Sequence, residues 1–461
     1  MGEVLGTFSE LSAVTLARSL PRAGWRSDHG KAVARQARQK ILSFLSLLTA
    51  STTNMAVPDS VASLVPIAAG TGGLLGSVIC KRCNEEQVTH AIRSEPVCQY
   101  VSRLLFFSST HTDLPRTCFS QYITTKAIKR METYRVRGSS AKAPRKLLLP
   151  LSFGPSSACL LYILDQHLQG QYDRMNRAAY HLFVVHIDPN VNASDREQSS
   201  VLLEKYKARF PRHTFSSLGL EDALLLDDID WKALNTPKPA FGDSETPGRE
   251  RLRGLIGLMP SATSRADLVT TLLARLLVDV ARRGGCESIL FGDSTTRLAE
   301  KTLTETAKGR GFSLPWQVSD GMSPYGIGFN YPLRDLLKKE LVEFSSLAIP
   351  PLTDLIIYQN SSSYISASSK STTIDDLMAQ YFESVEENYP SIVANVVRTS
   401  SKLKQPTTDD TIACGLCGLP VTEGTEGIFG WGGDQNSHSR LTEQNGHTNI
   451  LCYGCSRSIN G

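Results

Sequence analysis

From Lys146 onward, hydrophobic and polar positions alternate between two patterns. Lys146-Leu147-Leu148-Leu149-Pro150-Leu151 is a short continuous apolar run, and His181-Leu182-Phe183-Val184-Val185-His186-Ile187-Asp188 is another. Runs of this length predict strands buried on both faces. Between them, Ser157-Ala158-Cys159-Leu160-Leu161-Tyr162-Ile163-Leu164 opens an amphipathic helix. A longer helix is predicted over 264–283, where Ser264 followed three residues on by Asp267 matches a capping box and Gly284-Gly285 stops it. Ser288-Ile289-Leu290-Phe291 then predicts a strand leading into Gly292-Asp293-Ser294-Thr295-Thr296-Arg297 and a further helix. Alternation of this kind predicts an α/β fold with a doubly wound parallel sheet, its ligand crevice at the carboxyl ends of the strands.

Outside this core the pattern changes. Residues 1–78 carry Arg18, Arg22, Arg26, Lys31, Arg35, Arg38 and Lys40 with few acids, then an Ala/Gly/Ser/Val stretch ending at Gly76. Such a start imitates a mitochondrial presequence; a disordered or wrongly predicted extension has the same composition, with Met55 as an alternative start. The expected organisation is a basic, disordered extension over 1–78, a cysteine module with a basic segment over 79–137, the α/β domain over 138–411 and a second cysteine module over 412–461. A polar insert near 235–249 interrupts the α/β domain, and a serine-rich break spans Ser361 to Ser371.

Composition bounds the class. The chain has 461 residues, 41% hydrophobic and 20% charged, as an ordinary globular protein does. No run of about 18 uninterrupted apolar residues occurs, so no membrane span is expected. The net charge of +4 says little by itself, but its distribution says more. Lys126, Lys129, Arg130, Arg135, Arg137, Lys142, Arg145 and Lys146 are opposed by Glu132 alone. Such a stretch can neutralise nucleic-acid phosphates and release their counterions, although a solvated face has the same composition.

Eight of the ten cysteines form two sets of four. Cys414-Gly415-Leu416-Cys417 is followed by Cys452-Tyr453-Gly454-Cys455, two C-x-x-C knuckles that offer four thiolates in the arrangement zinc favours. An iron-sulfur cluster also uses four thiolates. Paired knuckles imply a reducing, cytosolic compartment; His438 and His447 are expected at the surface. The first set is less regular: Cys80-Lys81-Arg82-Cys83 is a clean knuckle, but 19 residues separate Cys98 from Cys118. If Gln99-Tyr100-Val101 is encoded CAG-TAT-GTN, the codons contain a splice-donor signal, and an AG-initial codon for Arg116 supplies an acceptor. Excising Tyr100 to Arg116 gives Cys98-Gln99-Thr117-Cys118, a second C-x-x-C; the expectation is a translated intron, against a genuine loop between ligands.

Ser152-Phe153-Gly154-Pro155-Ser156-Ser157 sits between a predicted strand and a predicted helix. A strand followed by S-G-G-x-D-S is the pyrophosphate loop of enzymes that adenylate a carbonyl oxygen; its amides and helix N-terminus bind phosphate. Here Ser152, Gly154 and Ser157 match, Phe153 replaces the first glycine and Ser156 replaces the aspartate. The ring is expected to obstruct pyrophosphate, and loss of the carboxylate removes a magnesium contact. Ser152, Gly154, Ser156 and Ser157 are thus candidate cofactor-binding residues of a degenerate loop, in which ATP is doubtful. Cys159 and Cys286 are expected to pack rather than react.

In order, these features continue with Val185-His186-Ile187-Asp188, Pro260-Ser261-Ala262-Thr263-Ser264-Arg265, Phe291-Gly292-Asp293-Ser294-Thr295-Thr296-Arg297-Leu298-Ala299 and Tyr331-Pro332-Leu333-Arg334-Asp335. From Cys80 to Cys455 the chain resembles the cytoplasmic tRNA 2-thiolation protein 2 family. The resemblance implies a pyrophosphate-loop ATPase (adenine nucleotide alpha hydrolase-like) fold flanked by four-cysteine zinc modules. It implies a cytoplasmic, non-catalytic subunit paired with a catalytic paralogue. That pair adenylates the 2-carbonyl oxygen of the wobble uridine in tRNAs for Lys, Glu and Gln, and inserts sulfur from a thiocarboxylated ubiquitin-related modifier. The basic segment and the zinc modules would grip tRNA and the degenerate core would dock the paralogue; Arg297 is a candidate phosphate contact, with Lys301, Lys308 and Arg310 extending that positive face. Two rival readings are an active ATP-dependent tRNA thiolase and a zinc-ribbon RNA-binding module unrelated to thiolation.

Overall fold

The computed structural model describes residues 79–84, 87–92, 95–98, 118–135, 144–189, 193–234, 247–358, 372–405, 412–421 and 451–460. The extension over 1–78, Tyr100 to Arg116, Arg137, Lys142, His438, His447, the serine-rich break and most of the polar insert lie outside the described residues.

A hairpin of β1 (His90–Ile92) and β2 (Glu95–Val97) precedes α1 (Cys118–Arg130). The main sheet begins with β3 (Arg145–Pro150), then α2 (Pro155–Met175), β4 (Tyr180–Asp188), α3 (Ala193–Arg209) and β5 (Thr214–Gly219). Helices α4 (Gly248–Gly257) and α5 (Ala262–Arg283) carry the chain back to β6 (Ser288–Leu290), followed by α6 (Thr295–Ala307), β7 (Gly321–Met322) and β8 (Gly328–Asn330). Then come α7 (Lys338–Leu347), α8 (Ile374–Asn388) and α9 (Pro390–Ser400), the short pair β9 (Ile412–Ala413) and β10 (Pro420–Val421), and α10 (Tyr453–Asn460).

The six strands lie in the order β5-β4-β3-β6-β8-β7. All neighbouring pairs are parallel except β7 with β8. The chain runs outward from β3 to β5 and then resumes at β6 on the other side of β3. The order therefore reverses between β3 and β6, where a doubly wound sheet opens its crevice. Both faces are covered, which is why β3 is apolar from Leu147 to Leu149: Leu147 and Leu149 pack with α1, α2, α3 and α7, while Leu148 packs with α5 and α6.

The sequence places the start of α5 three residues late. Ser261 is the cap, accepting the Ser264 amide at 3.0 Å. Asp267 is buried and paired with Arg310 and Lys308 instead of capping anything. The predicted stop is present, with Gly284 as C-cap and Gly285 at φ 64.

Candidate phosphate loop and thiolate centres

The loop after β3 and the turn after β6 meet at the switch point. A Cβ on Gly292 would lie 2.9 Å from Ser157 Cα, so only glycine allows this approach. Ser157 ties the phosphate loop together: its Oγ accepts from the Ser152 amide at 3.3 Å, contacts Ser152 Oγ at 3.1 Å and donates to the Gly154 carbonyl at 3.1 Å. Gly154 is the N-cap of α2 and Pro155 begins the helix, where its missing N–H is not needed.

Phe153 corrects an expectation. Its φ of 59 is the left-handed conformation that suits glycine, so the backbone keeps a glycine-like path. The ring is 1% exposed and stacks on His186 at 4.1 Å and Tyr206 at 5.5 Å. It is packed in the core instead of standing across the loop. The Ile357 amide donates to the Phe153 carbonyl at 2.8 Å, and Tyr206 holds the Leu355 carbonyl at 2.7 Å, so 355–357 braces the loop. Replacing Phe153 with glycine relieves about 1–2 kcal/mol of backbone strain but forfeits a buried ring worth about 3–5 kcal/mol. A net destabilisation of about 1–4 kcal/mol is expected by thermal or denaturant unfolding; a stabilised variant would contradict the packing role.

The four Sγ atoms of Cys80, Cys83, Cys98 and Cys118 lie within 4.8 Å of one another, as do those of Cys414, Cys417, Cys452 and Cys455. Each set therefore fits a four-thiolate metal site. In the first, the knuckle turns through Asn84 at φ 57, whose amide donates to the Cys80 carbonyl at 2.9 Å, while Cys98 follows β2 and Cys118 opens α1. Burial opposes ionisation of Cys80, but the amides of Cys83, Arg82 and Cys98 and the Cys83 side chain outweigh it and bring the thiol down to about 6. Burial pushes Cys118 up to about 11.

Cys98 and Cys118 converge, and on the expectation that 100–116 is a translated intron the module closes without that segment. Deleting 100–116 joins Gln99 to Thr117 and should leave metal content unchanged. It should also raise stability by roughly 2 kcal/mol, since closing a loop of about 2 residues costs less entropy than closing one of about 19. Loss of metal from the deletion variant would make the segment a working part of the module.

The second set is bolted to the core. All four cysteines are buried in the cluster that includes α5 and α6. Gly418 turns the knuckle at φ 71 and donates to the Cys414 carbonyl at 2.8 Å. Tyr325 donates to the Cys417 carbonyl at 2.6 Å, and the Asp230 amide to the Gly415 carbonyl at 2.7 Å. Arg310 donates to Cys455 Sγ at 3.4 Å while pairing with Asp267, which Ser458 of α10 also contacts. Hydrogen bonds from Cys417, Cys452 and Cys455 hold Cys414 far down, while those with Cys414, Cys452 and Cys455 push Cys417 up. Without a cation the four thiols cannot all ionise together; a divalent metal supplies that charge.

Lys308 and Arg310 are therefore not part of a positive surface, contrary to the sequence reading. They are 8% and 3% exposed, and Lys308 lies 3.4 Å from Asp267 and 2.6 Å from Asp375 of α8. Cys159 is buried with its thiol 3.3 Å from the Leu341 carbonyl, and Cys286 is buried before β6; burial raises both pKa values.

The basic segment is partly spent on the fold. Arg130 pairs with Asp335 at 2.7 Å and Asp320 at 3.8 Å, and Arg145 with Glu287 at 3.4 Å. Lys126 and Lys129 are exposed on α1, and Arg135 makes an exposed pair with Glu132 at 2.6 Å, which contributes little. Arg297 pairs with Glu300 at 2.9 Å and Lys301 with Asp293 at 3.1 Å. Arg297 follows the carboxyl end of β6, whereas Arg145 begins the parallel strand β3, so the two belong to opposite ends of the sheet.

A doubly wound α/β core with a pyrophosphate-type loop and two four-thiolate centres defines the class. The profile of the family described as cytoplasmic tRNA 2-thiolation protein 2 matches residues 373–457. A protein of that name from Sclerotinia sclerotiorum is 59% identical over 342 residues, covering 74% of this chain and 85% of its own. Another from Phaeosphaeria nodorum is 47% identical over 389 residues, covering 83% and 95%. Among solved structures, the U34-tRNA thiolase NcsA from Methanococcus maripaludis with its [4Fe-4S] cluster aligns with a TM-score of 0.44 and 16% identity, over 76% of this chain and 94% of its own. The chain belongs to the cytoplasmic tRNA 2-thiolation protein 2 family and is a cytoplasmic protein of tRNA thiolation. Among the described residues, no helix is long and apolar enough to cross a membrane.

Proposed function

We propose that this chain is the non-catalytic partner of a paralogous tRNA thiolase. Together the two adenylate the 2-carbonyl oxygen of the wobble uridine in tRNAs for Lys, Glu and Gln and replace it with sulfur. Activation is needed because a carbonyl oxygen leaves poorly and AMP leaves well. In this reading the paralogue supplies the intact loop and the nucleophilic cysteines, and sulfur arrives on a thiocarboxylated ubiquitin-related modifier. Zinc in both four-thiolate sets holds this chain's modules, and Lys126, Lys129 and Arg135 contact tRNA phosphates.

The observation that carries the reading is the pairing of two features. Ser156 stands where a metal-binding carboxylate is required, and the cysteines outside the two sets, Cys159 and Cys286, are buried. A thiol so desolvated is held in its protonated, unreactive form. One observation favours the rival active enzyme: with the Phe153 ring in the core, the backbone of the loop keeps a glycine-like path. Reconstituted ATP-dependent thiolation of tRNA, with each subunit alone and with both, separates the two. Activity of the pair only is expected; turnover by this chain alone would make it the enzyme.

A further inference from the structure

The second thiolate set is reached by a cation 145 residues away in the chain. Arg310 is 3% exposed, and one guanidinium nitrogen donates to Cys455 Sγ at 3.4 Å while another pairs with Asp267. Asp267 is buried as well and accepts from the hydroxyl of Ser458, which stands one helical turn after Cys455 on α10. Sulfur, guanidinium, carboxylate and hydroxyl therefore form a ring of contacts that begins and ends on α10. The local packing is built around that ring. Gly309 holds φ 78, and a Cβ there would collide with the Tyr453 ring. A Cβ on Gly454 would collide with Arg310 Cγ, so the knuckle carries glycine where the arginine stem crosses it. The Arg310 amide donates to the Glu305 carbonyl at 2.7 Å, and the Arg310 carbonyl accepts from the Ser313 amide at 2.9 Å and hydroxyl at 2.7 Å, which fixes the backbone under the side chain.

Electrostatics give the contact to sulfur a task. Four thiolates around a divalent metal leave a net negative charge, and a charge in a low-dielectric interior needs a partner. Cys414, Cys417, Cys452 and Cys455 are all buried, so water does not supply one. The Cys452 amide donates to Cys414 Sγ at 3.3 Å and adds a dipole; Arg310 adds a full positive charge. The first set is built differently. There the Arg82 amide donates to Cys80 Sγ at 3.4 Å, and Cys83 is only half-buried, so solvent screens that centre.

We infer that Arg310 is a positioning residue of the second thiolate centre: it holds the Cys455 sulfur in place for the metal and offsets the charge of the loaded site. The inference rests on the metal-binding reading of this set proposed above. Groups that hydrogen-bond to metal ligands orient them, and their loss costs about 10–100-fold in metal affinity. Asp267 serves the guanidinium as a carboxylate serves a metal-bound histidine, by fixing the orientation of the donor.

The test uses the full chain. Zinc-loaded wild type, Asp267→Asn, Arg310→Met and the variant carrying both changes are titrated with a chromophoric chelator, and the phase missing from Cys417→Ser identifies the second set. Arg310→Met should weaken zinc binding there about 10–100-fold. The double variant should lose as much, although it no longer buries an unpaired carboxylate, which separates metal retention from folding. Asp267→Asn keeps the donor to sulfur and should lose less. With cobalt in place of zinc, the sulfur-to-metal charge-transfer band should move to lower energy in both variants that lack Arg310, because the sulfur has lost a hydrogen bond. A double variant that holds zinc as tightly as the wild type, with the cobalt band unmoved, would overturn the inference and confine Arg310 to its ion pair with Asp267. If the second set of the wild type binds no metal, the metal-binding reading fails and the inference falls with it.

Discussion

Replacing Cys417 with serine, or stripping the metal from the C-terminal set, should lower the melting temperature of the whole α/β core and not only of the last residues. The four cysteines are members of one hydrophobic cluster with α5, α6 and the sheet, and Tyr325, Asp230 and Arg310 reach them from the core. Structural zinc contributes on the order of 10 kcal/mol to folding where the apo segment has no structure, comparable with the stability of a whole domain. Part of that free energy is shared with the core contacts, so a loss of at least about 4 kcal/mol, or roughly 8–16 °C, is expected. Calorimetry of metal-loaded and chelated protein, with metal content assayed in parallel, checks this. Serine at Cys83, which is only half-buried, should shift melting less. Quantitative loss of metal without a change in melting would mean that the second set is an appendage.

Arg310→Met should be the most damaging single change away from the cysteines. Arg310 is buried with one donor on Asp267 and another on Cys455, and burial of the pair leaves no water to replace it. Arg310 and Lys308 keep the Asp267 carboxyl below its usual range although burial pushes it the other way. Removing one partner of a buried pair costs about 3–5 kcal/mol, because the remaining charge stays buried. Adding Asp267→Asn to Arg310→Met should recover part of the loss, since Lys308 still has Asp375 at 2.6 Å. A denaturant series on wild type, single and double variants reads this directly. Wild-type stability in Arg310→Met, or a double variant worse than the single by a full increment, would show that the network carries no such coupling.

These two residues also mark where the sequence stopped being informative. The strands β3 and β4 were legible because burial on both faces demands near-continuous apolar runs, which local pattern records. The cysteine sets were legible because a four-thiolate site constrains spacing within each knuckle. Lys308 and Arg310, however, look the same in sequence whether they face water or Asp267, which is 43 residues from Arg310. For the same reason Ser264-x-x-Asp267 imitates a capping box: spacing does not distinguish a carboxylate at a helix end from one buried in an ion pair. Phe153 looks like an obstruction in the sequence because residue type carries no φ; with φ at 59 the ring enters the core.

The central claim is that this chain supports thiolation without performing the adenylation. The most direct measurement is ATP-dependent thiolation of substrate tRNA by the reconstituted pair in which this chain carries Ser152→Ala and Ser156→Ala, compared with the unaltered pair. Unchanged turnover is predicted, because the loop of this chain binds no reacting phosphate. Loss of turnover in a variant pair that still assembles and still binds tRNA would place chemistry in this loop and contradict the account.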